Sequence, residues 1–292
     1  MSAIYSAEVS DMSFIEILKA ILFGIVEGVT EWLPISSTGH MILLDEFIKL
    51  DVSDGFLNMF LVVIQLGAIC AVPVMFFEKL NPFSKKKSSE ERKATYEIWG
   101  RVIVGVIPAA IVGLFLDDIC DKYLNNYVVV AIALAVYGIA FIVIERLRAG
   151  REFRALTVYD ITYRDALLIG LFQVLSLIPG TSRSGSTIIG GMLVGVSRTA
   201  SAEFSFFMAI PVMLGASLLK IVKFVAAGFS ATASEIAVLI IGMAVSFLVS
   251  LAAIKFLMDF VRRHTFTAFG VYRIVLAVIV AGYFVLNTFV FS

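Results

Sequence analysis

The chain has 292 residues, of which 60% are hydrophobic and 16% charged, and its mean hydropathy is +0.98. An ordinary soluble domain carries about a quarter charged residues, so this composition belongs to a membrane protein. The 23 basic and 23 acidic residues balance, which excludes an overall basic nucleic-acid binder and leaves the placement of the charges as the informative quantity.

The apolar runs are about twenty residues long, the thickness of a hydrocarbon core, and they lack the alternation of barrel strands, so the spans are helices. They fall near 14–33, 56–77, 98–116, 127–144, 166–178, 188–226, 236–258 and 268–290. Before the first run stand Glu8 and Asp11 in place of a basic stretch, and no removable signal peptide is expected. Cys70 and Cys120 are too few and too isolated for a disulfide framework.

The first run is followed by Pro34-Ile35-Ser36-Ser37-Thr38-Gly39-His40 and a short piece to Leu50, too short and too acidic for a second span. A re-entrant hairpin over about 14–50 is expected. A second hairpin, about 165–196, is broken by Pro179-Gly180-Thr181-Ser182-Arg183-Ser184-Gly185-Ser186. Polar non-helical backbone survives at membrane depth only when buried in protein or lining a wet cavity.

Basic residues concentrate in cytoplasmic loops. Lys79, Lys85, Lys86, Lys87, Arg92, Lys93 and Arg101 mark 79–101, five arginines from Arg146 to Arg164 mark 146–164, and Arg262, Arg263 and Arg273 mark 259–273. The intervening turns, with Asp117, Asp118 and Asp121 or with Lys220, Lys223 and Glu235, then face outward. This alternation requires six crossings, both termini outside, and two hairpins that enter and return on one side.

Gly24 to Glu27 and Pro34 to Ser37 resemble Gly170 to Gln173 and Pro179 to Ser182, with one residue fewer before the second proline. Gln65 precedes Pro73-Val74-Met75 as Glu203 precedes Pro211-Val212-Met213. Two correspondences in one order indicate duplication. The expected fold is an all-α polytopic membrane protein of six crossing helices plus two re-entrant helical hairpins. The repeats are 1–146 and 147–292, and the odd number of crossings in each inverts the second.

Glu27 and Glu31 share one face of an apolar helix. Inserting each costs about 2.5–3.5 kcal/mol, too much for decoration, and their pairing suits a cation or acid–base chemistry. Ser36 or Ser37 can cap a helix from about Thr38 to Lys49, whose free N–H groups suit a phosphate. His40 gains a functional reading from these neighbours, whereas His264 beside Arg262 and Arg263 reads as solvated. Arg183, ringed by Thr181, Ser182, Ser184, Ser186 and Thr187, offers the planar fork that fits phosphate oxygens, or a salt bridge to Glu27 or Glu31. Arg198 and Glu203 are placed to pair near the cytoplasmic face.

The stretch Glu27-Gly28-Val29-Thr30-Glu31-Trp32-Leu33-Pro34-Ile35-Ser36-Ser37-Thr38-Gly39-His40, with Pro179 to Ser186, resembles the bacitracin-resistance type of undecaprenyl pyrophosphate phosphatase. The resemblance implies a multi-pass enzyme of the bacterial inner membrane that removes the terminal phosphate of undecaprenyl pyrophosphate, recycling the lipid carrier of cell-wall synthesis. It also implies dependence on Mg²⁺ or Ca²⁺ and a site opening to the periplasmic side. On this reading Glu27, Glu31, Ser37, His40 and Arg183 are catalytic, with Glu27 and Glu31 at the metal. Ser36, Thr38, Thr181, Ser182, Ser184 and Ser186 bind substrate. The attacking group stays open between Ser37 with His40 as base, His40 itself, and a metal-activated water. The expected partners are the lipid and the bilayer, with no nucleic acid, and a homodimer is compatible with the sequence. The alternative from another class is a polyprenyl-phosphate flippase or ion-coupled transporter built on the inverted repeat.

Overall fold

A computed structural model describes residues 14–124 and 126–290, without the side chains of Asp117, Asp118, Asp121 and 287–290. Glu8 and Asp11, and the side chains expected to face outward at Asp117, Asp118 and Asp121, lie outside what is described. The helices are α1 (Phe14–Thr30), α2 (Ser37–Phe47), α3 (Asp54–Val63), α4 (Gln65–Ile69), α5 (Ala71–Met75), α6 (Phe77–Leu80), α7 (Ser89–Tyr123), α8 (Tyr127–Arg148), α9 (Tyr163–Val174), α10 (Arg183–Leu193), α11 (Arg198–Ala226), α12 (Ala233–Val261) and α13 (Thr267–Val290).

Six stretches are long and apolar enough to cross a membrane: the α3–α5 run Asp54–Met75, Ser89–Leu116 of α7, all of α8, α11 and α12, and Thr267–Leu286 of α13. The α3–α5 run is interrupted at Ile64 and Cys70. Pro73 has no N–H to return to the carbonyl of Ile69, which weakens the ladder there.

Side-chain caps set the helix starts. Ser88 and Glu91 form a reciprocal capping box at α7, as Thr162 with Asp165 does at α9 and Thr232 with Glu235 at α12. The cap at Ser88 corrects the extent of the first basic loop: Arg92, Lys93 and Arg101 are helical, and only the residues between Leu80 and Ser89 connect. Arg146 and Arg148 likewise end α8, and Arg164 begins α9. Arg273 belongs to no turn; it lies in the second turn of α13 and is fully buried. The expected pairing of Arg198 with Glu203 is also corrected. Arg198 makes a bidentate bond to Glu145 of α8, and Glu203 takes Lys79 at 2.6 Å, because each carboxylate meets a nearer cation from another helix.

Helix pairing crosses between the halves. α1 packs along α12, α7 along α9, and α8 along α13. In each pair the backbones touch at glycine. A Cβ on Gly24 would lie 2.6 Å from the carbonyl oxygen of Gly242, and one on Gly170 would lie 2.1 Å from that of Gly105. Gly138 and Gly270 block one another reciprocally, each at 2.7 Å. Small residues allow such approach where lipid gives no hydrophobic drive.

Both broken helix pairs return to where they began. Lys19 near the start of α1 donates to the carbonyl of Lys49, just past α2, at 2.6 Å, and Glu16 accepts from the N–H of Asp51 at 3.0 Å. Beyond α10, Ser197 donates its N–H to Ala155, in the loop that leads into α9, at 2.8 Å. Trp32, fully buried between the breaks, meets Phe206 of α11 edge to face at 5.1 Å and anchors the central apolar core.

Candidate active site

The two breaks are built alike. Ser36 and Ser182 are the non-glycine residues with positive φ among the described residues, at 75° and 73°. Such backbone costs about 1–3 kcal/mol and persists where surrounding structure enforces it. Ser36 accepts from the N–H of Gly39 at 3.3 Å and Ser182 from that of Gly185 at 3.2 Å, so each caps the following helix. Their carbonyls are met from four residues on, by His40 Nδ1 at 2.7 Å and Ser186 Oγ at 3.1 Å.

This equivalence corrects the sequence register. Nine residues separate Glu27 from Ser36 and also Gln173 from Ser182, so no residue is missing; the prolines, one position out of step, suggested the gap. In the corrected register Arg183 matches Ser37, where the proline alignment set it against Thr38.

Ser37 and Arg183, the first residues of α2 and α10, both reach Glu31. Ser37 Oγ donates to Oε2 at 2.8 Å and Arg183 Nη2 to Oε1 at 2.9 Å, while Ser184 Oγ donates to the Glu31 carbonyl at 3.3 Å. The positive ends of both helices therefore converge on one carboxylate. Arg183 also lies over the Trp32 ring at 5.7 Å from its centre and gives Nη1 to Ser205 of α11. Its Nε–H is buried without an acceptor.

Glu27, one turn before Glu31, is fully buried, and neither carboxylate oxygen receives a hydrogen bond. Two adjacent acids, one with both oxygens unsatisfied, are the hard oxygen donors that a divalent cation takes, so these residues fit Mg²⁺ or Ca²⁺. Among the described residues no third His, Cys, Asp or Glu joins them, which leaves the rest of a coordination shell to hydroxyls, water and phosphate oxygens.

His40 is committed on both nitrogens. Nδ1 donates to the Ser36 carbonyl, and Nε2 accepts from Tyr272 Oη at 2.7 Å beneath a parallel ring. Ser37 gives its proton to Glu31, so the Ser37–His40 pair considered from sequence is not made in this arrangement. Thr38 is exposed on the first turn of α2. Ser186 donates to Tyr137 of α8 at 3.2 Å and is completely buried. Thr181 is buried and its carbonyl accepts from Arg273 at 3.0 Å.

Arg273 reads from the sequence only as a turn cation, and its place at the site is missed there. It donates to Pro34 at 3.2 Å, to Gly180 at 2.8 Å and to Thr181, tying both breaks to α13 with no carboxylate partner among the described residues. The available signal was an arginine isolated between Val271-Tyr272 and Ile274-Val275 in an otherwise apolar run.

The family profile described as bacitracin resistance protein BacA matches residues 20–279, which include every residue placed above. The chain belongs to the BacA family. Among curated relatives it is 54% identical over 276 residues to the undecaprenyl-diphosphatase of Enterococcus faecalis (strain ATCC 700802 / V583), covering 94% of this chain and 100% of that protein. The undecaprenyl-diphosphatase of Desulfitobacterium hafniense is 54% identical over 280 residues, with 96% and 100% covered. Undecaprenyl-diphosphatase 1 of Clostridioides difficile (strain 630) is 54% identical over 274 residues, with 94% and 98% covered. Membership places the paired acids of α1 and the arginine of α10 within one homologous enzyme framework spanning nearly the whole chain.

Proposed function

We propose that this chain hydrolyses the terminal phosphate of undecaprenyl pyrophosphate, giving undecaprenyl phosphate and inorganic phosphate, and so returns the carrier lipid to cell-wall synthesis. One observation carries the reading: Arg183 and the starts of α2 and α10 converge beside two membrane acids, and the buried Nε–H of Arg183 and both oxygens of Glu27 lack partners. A diphosphate beside the arginine, with a cation on the two acids, would satisfy all of them. The relatives bear the same activity in their names, and nothing in them favours the flippase or transporter alternative.

In this reading Glu27 and Glu31 would hold the divalent cation, which would supply neutralisation of phosphate charge and activation of water. Arg183 keeps Nε–H and a second Nη2 hydrogen for the phosphates, and the helix N–H groups add fixed positive potential where charge develops. In a direct route water adds to the terminal phosphorus as the bond to the bridging oxygen breaks, the lipid monophosphate leaves and the water's proton passes to a carboxylate. In a covalent route the enzyme nucleophile first expels the lipid monophosphate, and water then hydrolyses the phosphoenzyme to inorganic phosphate. If Ser37 attacks, its proton goes to Glu31, which already accepts it.

The two broken helix pairs enter the bilayer and return as re-entrant hairpins of an inverted repeat. Three features support that placement: the meeting of their ends, the matched backbone at Ser36 and Ser182, and the reciprocal contact of Gly138 with Gly270. The basic residues at the ends of α8 and α12 support a cytoplasmic position for those ends, an inner-membrane location and a site toward the periplasm.

Phosphate release from a polyprenyl diphosphate by the purified protein, with and without chelator, tests the whole reading. Release that stops with chelator and returns on adding Mg²⁺ or Ca²⁺ is expected. No release under any metal condition would overturn the phosphatase assignment, and release indifferent to chelator would overturn the cation site.

A further inference from the structure

We infer that Ser205 is a positioning residue for the reaction, acting through Arg183; the inference rests on the phosphate-binding role proposed above for that arginine. Ser205 lies in the middle of α11, outside both sequence motifs and 22 residues beyond Arg183. It is fully buried, between Phe204 and Phe206 in the sequence, so a hydroxyl there has no solvent to satisfy it. Two contacts explain its presence. Arg183 Nη1 donates to the Ser205 carbonyl at 2.7 Å and to its Oγ at 3.1 Å. The Ser205 and Thr187 hydroxyls share a bond of 2.7 Å, and Thr187 stands one turn along α10 from Arg183.

These bonds consume one end of the guanidinium. Of its five N–H groups, Nη1 spends both on Ser205 and Nη2 spends one on Glu31, which leaves Nε–H and one Nη2 hydrogen. A planar fork held at Nη1 cannot swing about its axis, so its remaining donors keep one direction. Without the Ser205 hydroxyl, the Nη1 end keeps only the Ser205 carbonyl, and the orientation of the fork rests on that bond and the one to Glu31. The arginine side chain has several rotatable bonds, and misplacement of a charge-stabilising group by about 1 Å is enough to cost about a hundredfold in rate. Because the anchor is only half removed in Ser205→Ala, a smaller loss is expected.

The test is a double-mutant cycle of Ser205→Ala with Arg183→Lys in the full-length purified protein. Turnover, substrate affinity and melting temperature are read for all four proteins. Substrate affinity is measured by direct binding of a short-chain polyprenyl diphosphate, which closes the cycle even where lysine abolishes turnover. Ser205→Ala alone is expected to lower kcat/KM about tenfold with the melting temperature nearly unchanged. In the Arg183→Lys background, where no fork remains to be steered, it should change turnover or affinity less than twofold. Wild-type kinetics for Ser205→Ala would overturn the inference, as would an equal loss in both backgrounds or a loss that tracks melting. Near-normal Arg183→Lys would instead end the arginine reading on which it rests.

Discussion

Ser37 and Arg183 hold equivalent places at the starts of α2 and α10, and both donate to the carboxylate of Glu31, at 2.8 and 2.9 Å. Glu31 is thereby tied to both halves of the chain, while Glu27, one turn away, is tied to neither. Two acids that look alike in sequence should thus fail differently when neutralised.

Glu27→Gln replaces a buried carboxyl group with no hydrogen-bond partner beside another acid, so it should lower turnover at least tenfold while leaving the melting temperature unchanged or raised by about 2 °C. Glu31→Gln strands the Arg183 cation and should cost about 3 kcal/mol of stability along with activity. Kinetics and thermal melting of both variants in one detergent check this. Full activity in both would remove the acids from the site.

Arg273 links α13 to Pro34, Gly180 and Thr181, and hydrogen bonds from a charged donor contribute about 1.5–3 kcal/mol each. Arg273→Met should therefore lose both stability and turnover, and Arg273→Lys should recover little, since a point charge cannot span both breaks. A stable, fully active lysine variant would show that the span is dispensable.

The orientation is open to a labelling test. Ser88 is unsuitable for a reporter cysteine because it caps α7, but Lys86 is exposed in the adjoining loop. In a Cys70→Ala, Cys120→Ala background, Lys86→Cys should resist an impermeant thiol reagent in intact cells and react after permeabilisation. Rapid labelling from outside would invert the protein in the membrane.

The loop between α8 and α9 should loosen in acid. Asp160 accepts from the N–H of Thr157 at 2.9 Å, from its hydroxyl and from the N–H of Leu156, and these bonds hold its carboxyl below the ordinary range. A depressed folded value means the stabilisation is present above about pH 3.9, the unfolded value, and is lost as pH falls through the folded one. Amide exchange at Leu156 and Thr157 should rise below that pH in wild type, and already be high at neutral pH in Asp160→Asn. Equal protection in both proteins would contradict the cap.

The spans, the two breaks and the residues of both motifs could be read in the sequence because each is a local signal: an apolar run, a proline, an acid where an acid is expensive. What escaped depends on contacts between distant segments. Arg273 counted as one more basic residue near a turn, since hydropathy averages over the very arginine that α13 buries. Arg198 and Glu203 sit five apart, yet Glu145 and Lys79 claim them from other helices. Ser205 gave no signal at all, because a serine among phenylalanines is ordinary until Arg183 is seen to reach it.

The glycine contacts between halves also dictate an order of events during synthesis. Gly24 seats against Gly242, which the ribosome reaches 218 residues later, and at about 5–20 residues per second that delay is about 10–40 s. Through that interval α1 has only helices of its own half, α2 and α4, to pack against, and α7 likewise waits for α9. The nascent first half is therefore an incomplete body, in which Glu31 gains its arginine partner only when the second half docks. Docking of α1 on α12 and of α7 on α9 therefore waits for the second half to be made.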